Sequence, residues 1–174
     1  ALWNRIRDFD PAELDAAFRS FEIVKATLMR VTLHAVAAED RAVFRDAMRP
    51  TLRADGLNDR RFRATELAVE DADALVRALL DFAQEPRTRE EIEEHLAERW
   101  DVPPESGLWR ALRMIAPLVH APTDGAWSFA RKPAFVAPPD PAAPADAEEA
   151  LQRLILRYLQ AFGPASKKDL AQFA

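Results

Sequence analysis

The stretch that decides the fold is residues 88–135, TREEIEEHLAERWDVPPESGLWRALRMIAPLVHAPTDGAWSFARKPAF. It contains two helical patterns separated by a Pro-Pro pair, and it ends in two short apolar runs around Asp124-Gly125. An Asp-Gly pair between such runs is a strong signal for a β-hairpin. A third helical pattern, residues 69–84, comes directly before this stretch. Helix, helix, helix and hairpin is the order of a winged helix-turn-helix, a module that commonly holds duplex DNA.

Apolar residues at three- and four-residue steps define the inner faces of these three helices. Thr88 and Glu91 predict a capping box at the start of the second helix. The third helix is expected over residues 105–116, and the two hairpin strands over residues 118–121 and 127–131. The residues predicted to face the core are Leu75, Val76, Leu79, Leu80, Ala83, Ile92, Leu96, Leu108, Leu112 and Ile115.

The part before residue 69 predicts a helix, a strand and a second helix. Asp10-Pro11 is a typical helix start, because Asp caps well and Pro fits the first helical position. The β-branched residues over positions 28–35 predict a strand. A helix is then expected over residues 38–52, with Asp55-Gly56 ending it.

The part after residue 136 predicts a Pro/Ala-rich linker and the start of a second copy of the module. An amphipathic helix over residues 151–162 is followed by a Gly-Pro break, and Ser166 and Asp169 predict another capping box. We therefore expect a mainly α fold with small β-hairpins, a tandem winged helix-turn-helix whose second copy is truncated. The expected divisions are an N-terminal helix and strand segment (1–68), a winged helix-turn-helix domain (69–136), a linker (137–146) and the start of a second winged helix (147–174).

The composition limits the possible functions. The net charge is −5, which does not favour a DNA binder that relies on overall charge, so any DNA contact must come from local patches. The absence of cysteine indicates a reducing, cytoplasmic setting and excludes thiolate metal sites. The three histidines lack metal-ligand spacing, so we expect neither a metal nor a cofactor. No apolar run is long enough to predict a membrane span.

Several segments resemble a known family. They are Leu2-Trp3-Asn4-Arg5, residues 28–34 (LMRVTLH), Ala38-Glu39-Asp40 and residues 158–166 (YLQAFGPAS). Together they are similar to a bacterial winged-helix DNA-binding family that includes the DNA glycosylases that unhook azinomycin-type interstrand crosslinks. The resemblance covers nearly the whole chain in order, and it implies double-stranded DNA as the partner.

Two features depart from the family pattern. The family usually has glycine after the arginine of the LMR segment, where this chain has Val31. In the glycosylase members, the catalytic glutamine motif lies upstream of the Leu-Trp segment. The resemblance therefore implies no catalytic residue within these 174 residues.

Arg30, Thr32 and His34 alternate, so on a strand they would share one face, with Val31 and Leu33 on the core face. They are candidates for a DNA-facing triplet. A buried polar network that joins the strand to its neighbours is the alternative.

Other basic residues are candidates for DNA contact by their position in the module. Arg110 and Arg113 lie one turn apart on the expected recognition helix, and Arg131 and Lys132 end the expected hairpin. Lys167 and Lys168 begin the last predicted helix, where free backbone N–H groups favour phosphate. Ordinary exposed surface is the alternative in each case. Five glutamates crowd the helix before the recognition helix (Glu90, Glu91, Glu93, Glu94 and Glu98), and like charge near phosphate opposes binding.

Two functions are consistent with this sequence. The first is a DNA-binding protein related to DNA glycosylases that act on alkylated or crosslinked DNA. The second is a non-enzymatic winged-helix regulator or interaction module, whose acidic surface contacts protein.

Overall fold

The computed structural model describes residues 5–126, 128–139 and 146–173. Within these ranges the chain forms eight α-helices, two short 3-10 turns and two small antiparallel sheets. The mainly helical fold with small β elements that the sequence predicts is confirmed. The Leu2-Trp3-Asn4 part of the family resemblance lies outside the described residues.

The N-terminal segment contains a hairpin where the sequence predicted one strand. Helix α1 (Pro11–Arg19) begins at Asp10, whose carboxylate accepts a hydrogen bond of 2.8 Å from the Ala12 N–H. Strand β1 (Ile23–Thr27) and strand β2 (Leu33–Ala37) then pair antiparallel. The predicted strand over residues 28–35 is wrong, because Met29–Val31 forms a 3-10 turn that reverses the chain. Consequently Leu33, expected in the core, is 52% exposed.

Helix α2 (Ala38–Asn58) is longer than predicted, and Gly56 does not end it. A Cβ atom at Gly56 would lie 2.6 Å from Ile115 Cγ1 and 3.0 Å from the Ala111 carbonyl oxygen. The glycine is therefore needed for close approach between two helices rather than for a helix stop. A four-residue helix, α3 (Arg60–Arg63), follows.

The next part has the winged helix-turn-helix order. Its elements are α4 (Asp71–Phe82), β3 (Arg87–Thr88), α5 (Arg89–Trp100), α6 (Leu108–Ile115), β4 (Val119–His120) and β5 (Ala134–Val136). The predicted capping box is confirmed, since Thr88 and Glu91 bond each other reciprocally at the start of α5. Leu108, Leu112 and Ile115 are buried as predicted. The sheet has the order β3-β5-β4, so the last strand lies between the other two.

The wing differs from the predicted tight hairpin. The second strand is Ala134–Val136, not residues 127–131, so the loop between β4 and β5 covers residues 121–133. Within the loop, the Ser128 N–H donates to the Gly125 carbonyl, which makes Asp124-Gly125 part of a local turn. The side chain of Ser128 is buried, and its hydroxyl bonds to Asp15 of α1. Trp127 lies outside the described residues.

Two further helices follow the second sheet. Helix α7 (Ala147–Phe162) is capped by Asp146, and helix α8 (Lys167–Phe173) begins with the predicted Ser166/Asp169 capping box. Helix α7 packs on α2 through Ala150 and Leu154, whereas Phe162 is 65% exposed.

The start of the expected linker is packed against the winged helix. The Ala137 N–H donates a hydrogen bond of 2.8 Å to the Ala83 carbonyl, and the side chain of Pro138 is buried. Residues 140–145 of the linker lie outside the described residues.

Two apolar clusters form the core. One is the interior of the winged helix, built from α4, α5, α6 and Phe62 of α3. The other joins the N-terminal hairpin and α2 to α7 and to strands β4 and β5. Helix α2 contacts both α6 and α7, so it is the element that connects the two clusters.

Candidate nucleic-acid interface

Helix α6, in the position of a recognition helix, presents two arginines to solvent. Its apolar face buries Leu108, Trp109, Ala111, Leu112 and Ile115. Arg110 and Arg113 are exposed, as the periodicity predicts. The helix thus offers two guanidinium groups one turn apart, an arrangement suited to phosphate or base edges.

Arg113 lies among other positive groups. Partial burial lowers its pKa, and the fields of Arg110 and Arg89 lower it further. Mutual repulsion of this kind requires that the charges be close together. Arg89, at the start of α5, is also paired with Glu93 at 2.9 Å, which offsets part of its charge.

Lys25 and His120 extend this positive area toward the N-terminal hairpin. Burial lowers the pKa of His120 to about 4, and the fields of Lys25 and Arg113 also lower it. The Lys25 ammonium lies 4.5 Å from the centre of the Phe129 ring. Lys25, Arg89, Arg110 and Arg113, together with the neutral imidazole of His120, form what we call the basic strip.

Sequence reasoning missed Lys25 and Arg89 as members of this strip. A signal for Lys25 was present, because Val24, Ala26 and Leu28 are the buried partners of an alternating strand that leaves Lys25 and Thr27 on the other side. The strand predicted over residues 28–35 begins after most of this alternation and so does not include Lys25.

The turn of the N-terminal hairpin carries Arg30 and Thr32. Both side chains are exposed and His34 is half-buried, so they do not form the buried network that was the alternative. Nor do they alternate along one strand, because Arg30 has a φ of 55° in the 3-10 turn. Local hydrogen bonds hold the turn: the Thr32 hydroxyl donates to the Met29 carbonyl at 3.0 Å, and the His34 ring lies 2.9 Å from the Thr32 carbonyl.

The end of β1 lies beside the recognition helix. Thr27 and Arg113 line the same small cleft, together with Trp109 and His120. Because the turn with Arg30 follows Thr27 directly, the hairpin brings that turn toward the α6 side of the molecule. The cleft itself is too small for a ligand, with a volume of about 10 Å³.

The remaining candidate residues lie in other elements. Arg131 and Lys132 are exposed in the wing loop, and Lys167 and Lys168 are exposed in the first turn of α8. All four are accessible to a polyanion.

The acidic helix α5 is only partly neutralised. Hydrogen bonds from Thr88 lower the pKa of Glu91, and Arg89 pairs with Glu93. On the same helix, His95 stacks on Phe82 with ring centres 4.1 Å apart. Burial and the field of Arg99 lower the pKa of His95, and the field of the neighbouring Glu98 opposes them.

Among the described residues, no helix is both long and apolar enough to cross a membrane. Nor do residues 5–126, 128–139 and 146–173 contain three or more His, Asp or Glu side chains grouped to hold a metal ion.

Comparisons with known proteins agree with the winged-helix architecture. The structure is similar to the Streptomyces sahachiroi DNA glycosylase AlkZ, with a TM-score of 0.73 and 22% sequence identity. The match covers 90% of this chain but 44% of that chain, so the present chain spans less than half of the relative's length. Curated protein sequences gave no match. The family model described as DNA glycosylase AlkZ-like matches residues 1–174. The chain therefore belongs to the AlkZ-like DNA glycosylase family.

Proposed function

We propose that this chain is the duplex-DNA-holding part of a DNA glycosylase that acts on alkylated or crosslinked DNA. The observation that carries the proposal is the basic strip. It joins the recognition helix, through Arg110 and Arg113, to the N-terminal hairpin, through Lys25. A net charge of −5 makes such a local concentration of positive groups informative, because the molecule as a whole repels phosphate.

In the proposed complex, α6 lies against a groove of the duplex, and its arginines contact phosphate oxygens or base edges. Arg30 and Thr32 at the hairpin turn, Arg131 and Lys132 in the wing and Lys167 and Lys168 on α8 are further backbone contacts. They hold the position of the duplex and carry no sequence information. Breaking the N-glycosidic bond requires a water directed at the sugar carbon while the damaged base leaves its stack. We assign that step to another part of the whole protein.

Two experiments test this proposal. Binding of the 174-residue chain to a fluorescent 20-base-pair duplex should weaken steeply as salt is raised from about 50 to 200 mM, because phosphate contacts release counterions. Affinity that is independent of salt contradicts DNA holding. The whole protein should then release an alkylated purine, or unhook a crosslink, from duplex DNA.

A second candidate is a non-enzymatic regulator or protein-interaction module. The acidic surface of α5 favours it, since Glu90, Glu94 and Glu98 are exposed next to the recognition helix. The whole protein separates the two functions. If it binds duplex DNA with the expected salt dependence but releases no base from any lesion tested, the regulator is supported and the glycosylase role is rejected.

A further inference from the structure

Four arginines follow one face of α2 at four-residue intervals: Arg41, Arg45, Arg49 and Arg53. Residues four apart lie on the same side of an α-helix. All four line a cavity of about 480 Å³ between α2, α4 and the C-terminal end of α6. The opposite wall is apolar and includes Val76, Leu80 and Met114. The volume lies within the range of protein sites for small molecules. We call these four residues the arginine ladder.

The two inner arginines of the ladder hold positive charge inside the protein. Arg41 is 6% exposed. Arg41 donates to the Pro117 carbonyl and Arg45 to the Ile115 carbonyl, and both of these acceptors are neutral. A guanidinium has five N–H donors. The Nε of Arg41 is buried and has no acceptor within the described part of the chain.

Among the described residues that line the cavity, two carry carboxylates, Asp46 and Asp73. Asp73 pairs with Arg53 at 2.7 Å, and Asp46 lies 3.6 Å from Arg49. Arg49 and Arg53, the arginines in these two pairs, form the more exposed end of the ladder. Burial lowers the pKa of Arg45 to about 10, and repulsion from Arg41 and Arg49 contributes, with Asp46 opposing it. The described lining therefore contains four guanidinium groups and two carboxylates.

We propose that this cavity binds a small organic anion that has an oxyanion head, either a carboxylate or a phosphate monoester, and an apolar body. The head lies against the ladder, because planar guanidinium groups match two-oxygen anions in geometry and charge. The body lies along Val76, Leu80 and Met114. An anion at this place adds negative charge beside the buried guanidinium groups of Arg41 and Arg45. The site is separate from the basic strip, so the inference does not rest on the proposed DNA function.

Calorimetric titration of the 174-residue chain with four probes tests both halves of the ligand. Octanoate and octyl phosphate have the anionic head and the apolar body, acetate has the head alone, and octanol has the body alone. We expect octanoate, octyl phosphate or both to bind with a Kd of about 1 mM or tighter, and acetate and octanol to bind at least about tenfold more weakly. Whichever of the two amphipathic anions binds better identifies the head group.

Variants of the apolar wall provide the matched control. Val76→Glu places a tethered carboxylate opposite the ladder and should weaken octanoate binding at least about tenfold. Val76→Gln introduces a side chain of nearly the same size as glutamate but without its charge. This variant should retain octanoate binding within about threefold. Arg49→Gln should also weaken binding, whereas Arg77→Gln, on an exposed position of α4 that does not line the cavity, should not.

Three results overturn the proposal. The first is that neither octanoate nor octyl phosphate binds. The second is that octanol binds as well as octanoate, which would make the cavity simply apolar. The third is that Val76→Glu and Val76→Gln, both shown to be folded by circular dichroism, bind octanoate equally. If Val76→Glu does not fold, the comparison of Arg49→Gln with Arg77→Gln decides in its place.

Discussion

The hydroxyl of Ser128, in the wing loop, donates a hydrogen bond of 2.5 Å to the Asp15 carboxylate on α1. Ser128 is fully buried and Asp15 is 9% exposed, although the two residues are 113 positions apart. Nearby, the rings of Phe18 and Phe129 meet edge to face at 4.9 Å. The wing of this protein is thus fixed to its first helix.

Replacing Ser128 tests that attachment. Ser128→Ala leaves a buried carboxylate short of one donor, which should lower the free energy of unfolding by about 1–3 kcal/mol in urea titrations. Ser20→Ala is the control, because the Ser20 hydroxyl donates to the Ala17 carbonyl on an exposed surface. Equal stability of the two variants would show that the buried bond does not anchor the wing.

The close approach of α2 and α6 depends on Gly56. Gly56→Ala should destabilise the fold by about 1–3 kcal/mol through overpacking, despite the better helix propensity of alanine. Its Cβ would lie 2.6 Å from Ile115 Cγ1. Gly125→Ala is the comparison, since the nearest atom there is 3.8 Å away. Adding Ile115→Val to Gly56→Ala should recover part of the loss, and an absence of any recovery would contradict this explanation.

Val31 occupies a backbone conformation that favours glycine. Its φ is 55°, and a β-branched side chain is strained there. Val31→Gly should therefore raise the free energy of unfolding by up to about 1 kcal/mol, the strain relieved being larger than the added chain entropy of glycine. Val36→Gly, in the regular strand β2, should instead lower it. Thermal melts of the two variants test this difference. A loss of stability in both variants would show that Val31 is not strained.

The arginines of α6 should contribute to DNA binding mainly through charge. Each of Arg110→Ala and Arg113→Ala should weaken binding to a 20-base-pair duplex and reduce the slope of log affinity against log salt by about 1. Arg77→Ala removes an exposed arginine from α4 and leaves the basic strip intact. Equal slopes of log affinity against log salt in all three variants would show that α6 does not contact the DNA.

His120 should make the fold sensitive to acid. Its folded pKa of about 4 lies below the ordinary histidine pKa of 6.5, so the unfolded chain binds more protons between these values. The stability that it contributes is complete above pH 6.5 and is lost as the pH falls toward 4. His120→Phe should flatten the pH dependence of unfolding in this window. In Lys25→Met, NMR titration should show a raised pKa of His120, because a neighbouring positive charge is gone; an unchanged pKa would contradict the contact.

Local signals predicted the winged helix well because they depend on neighbouring residues. Thr88 with Glu91 fixes the start of α5, and the spacing of Leu108, Leu112 and Ile115 fixes the buried face of α6. Arg110 and Arg113 follow as the exposed positions of that same helix.

The errors arise where distant contacts override a local rule. Asp55-Gly56 is a typical signal for the end of a helix, but Gly56 lies inside α2, where the helix packs closely against Ile115. The Asp-Gly signal predicts the second wing strand over residues 127–131, but Ser128 bonds to Asp15 of α1 instead. The alternation of β1 indicates only which side of the strand Lys25 occupies, and its position near Arg113 depends on the folded chain, which brings β1 beside β4.

Helix α2 has 21 residues, which corresponds to a length of about 31 Å. Because both α6 and α7 pack on it, this one helix sets the distance between the winged helix and α7. Shortening or extending the proline-rich connection after Pro139 should therefore leave that spacing unchanged. A duplex that contacts both the winged helix and α7 would therefore meet two surfaces at a constant distance from each other. The duplex would have to bend to fit that distance.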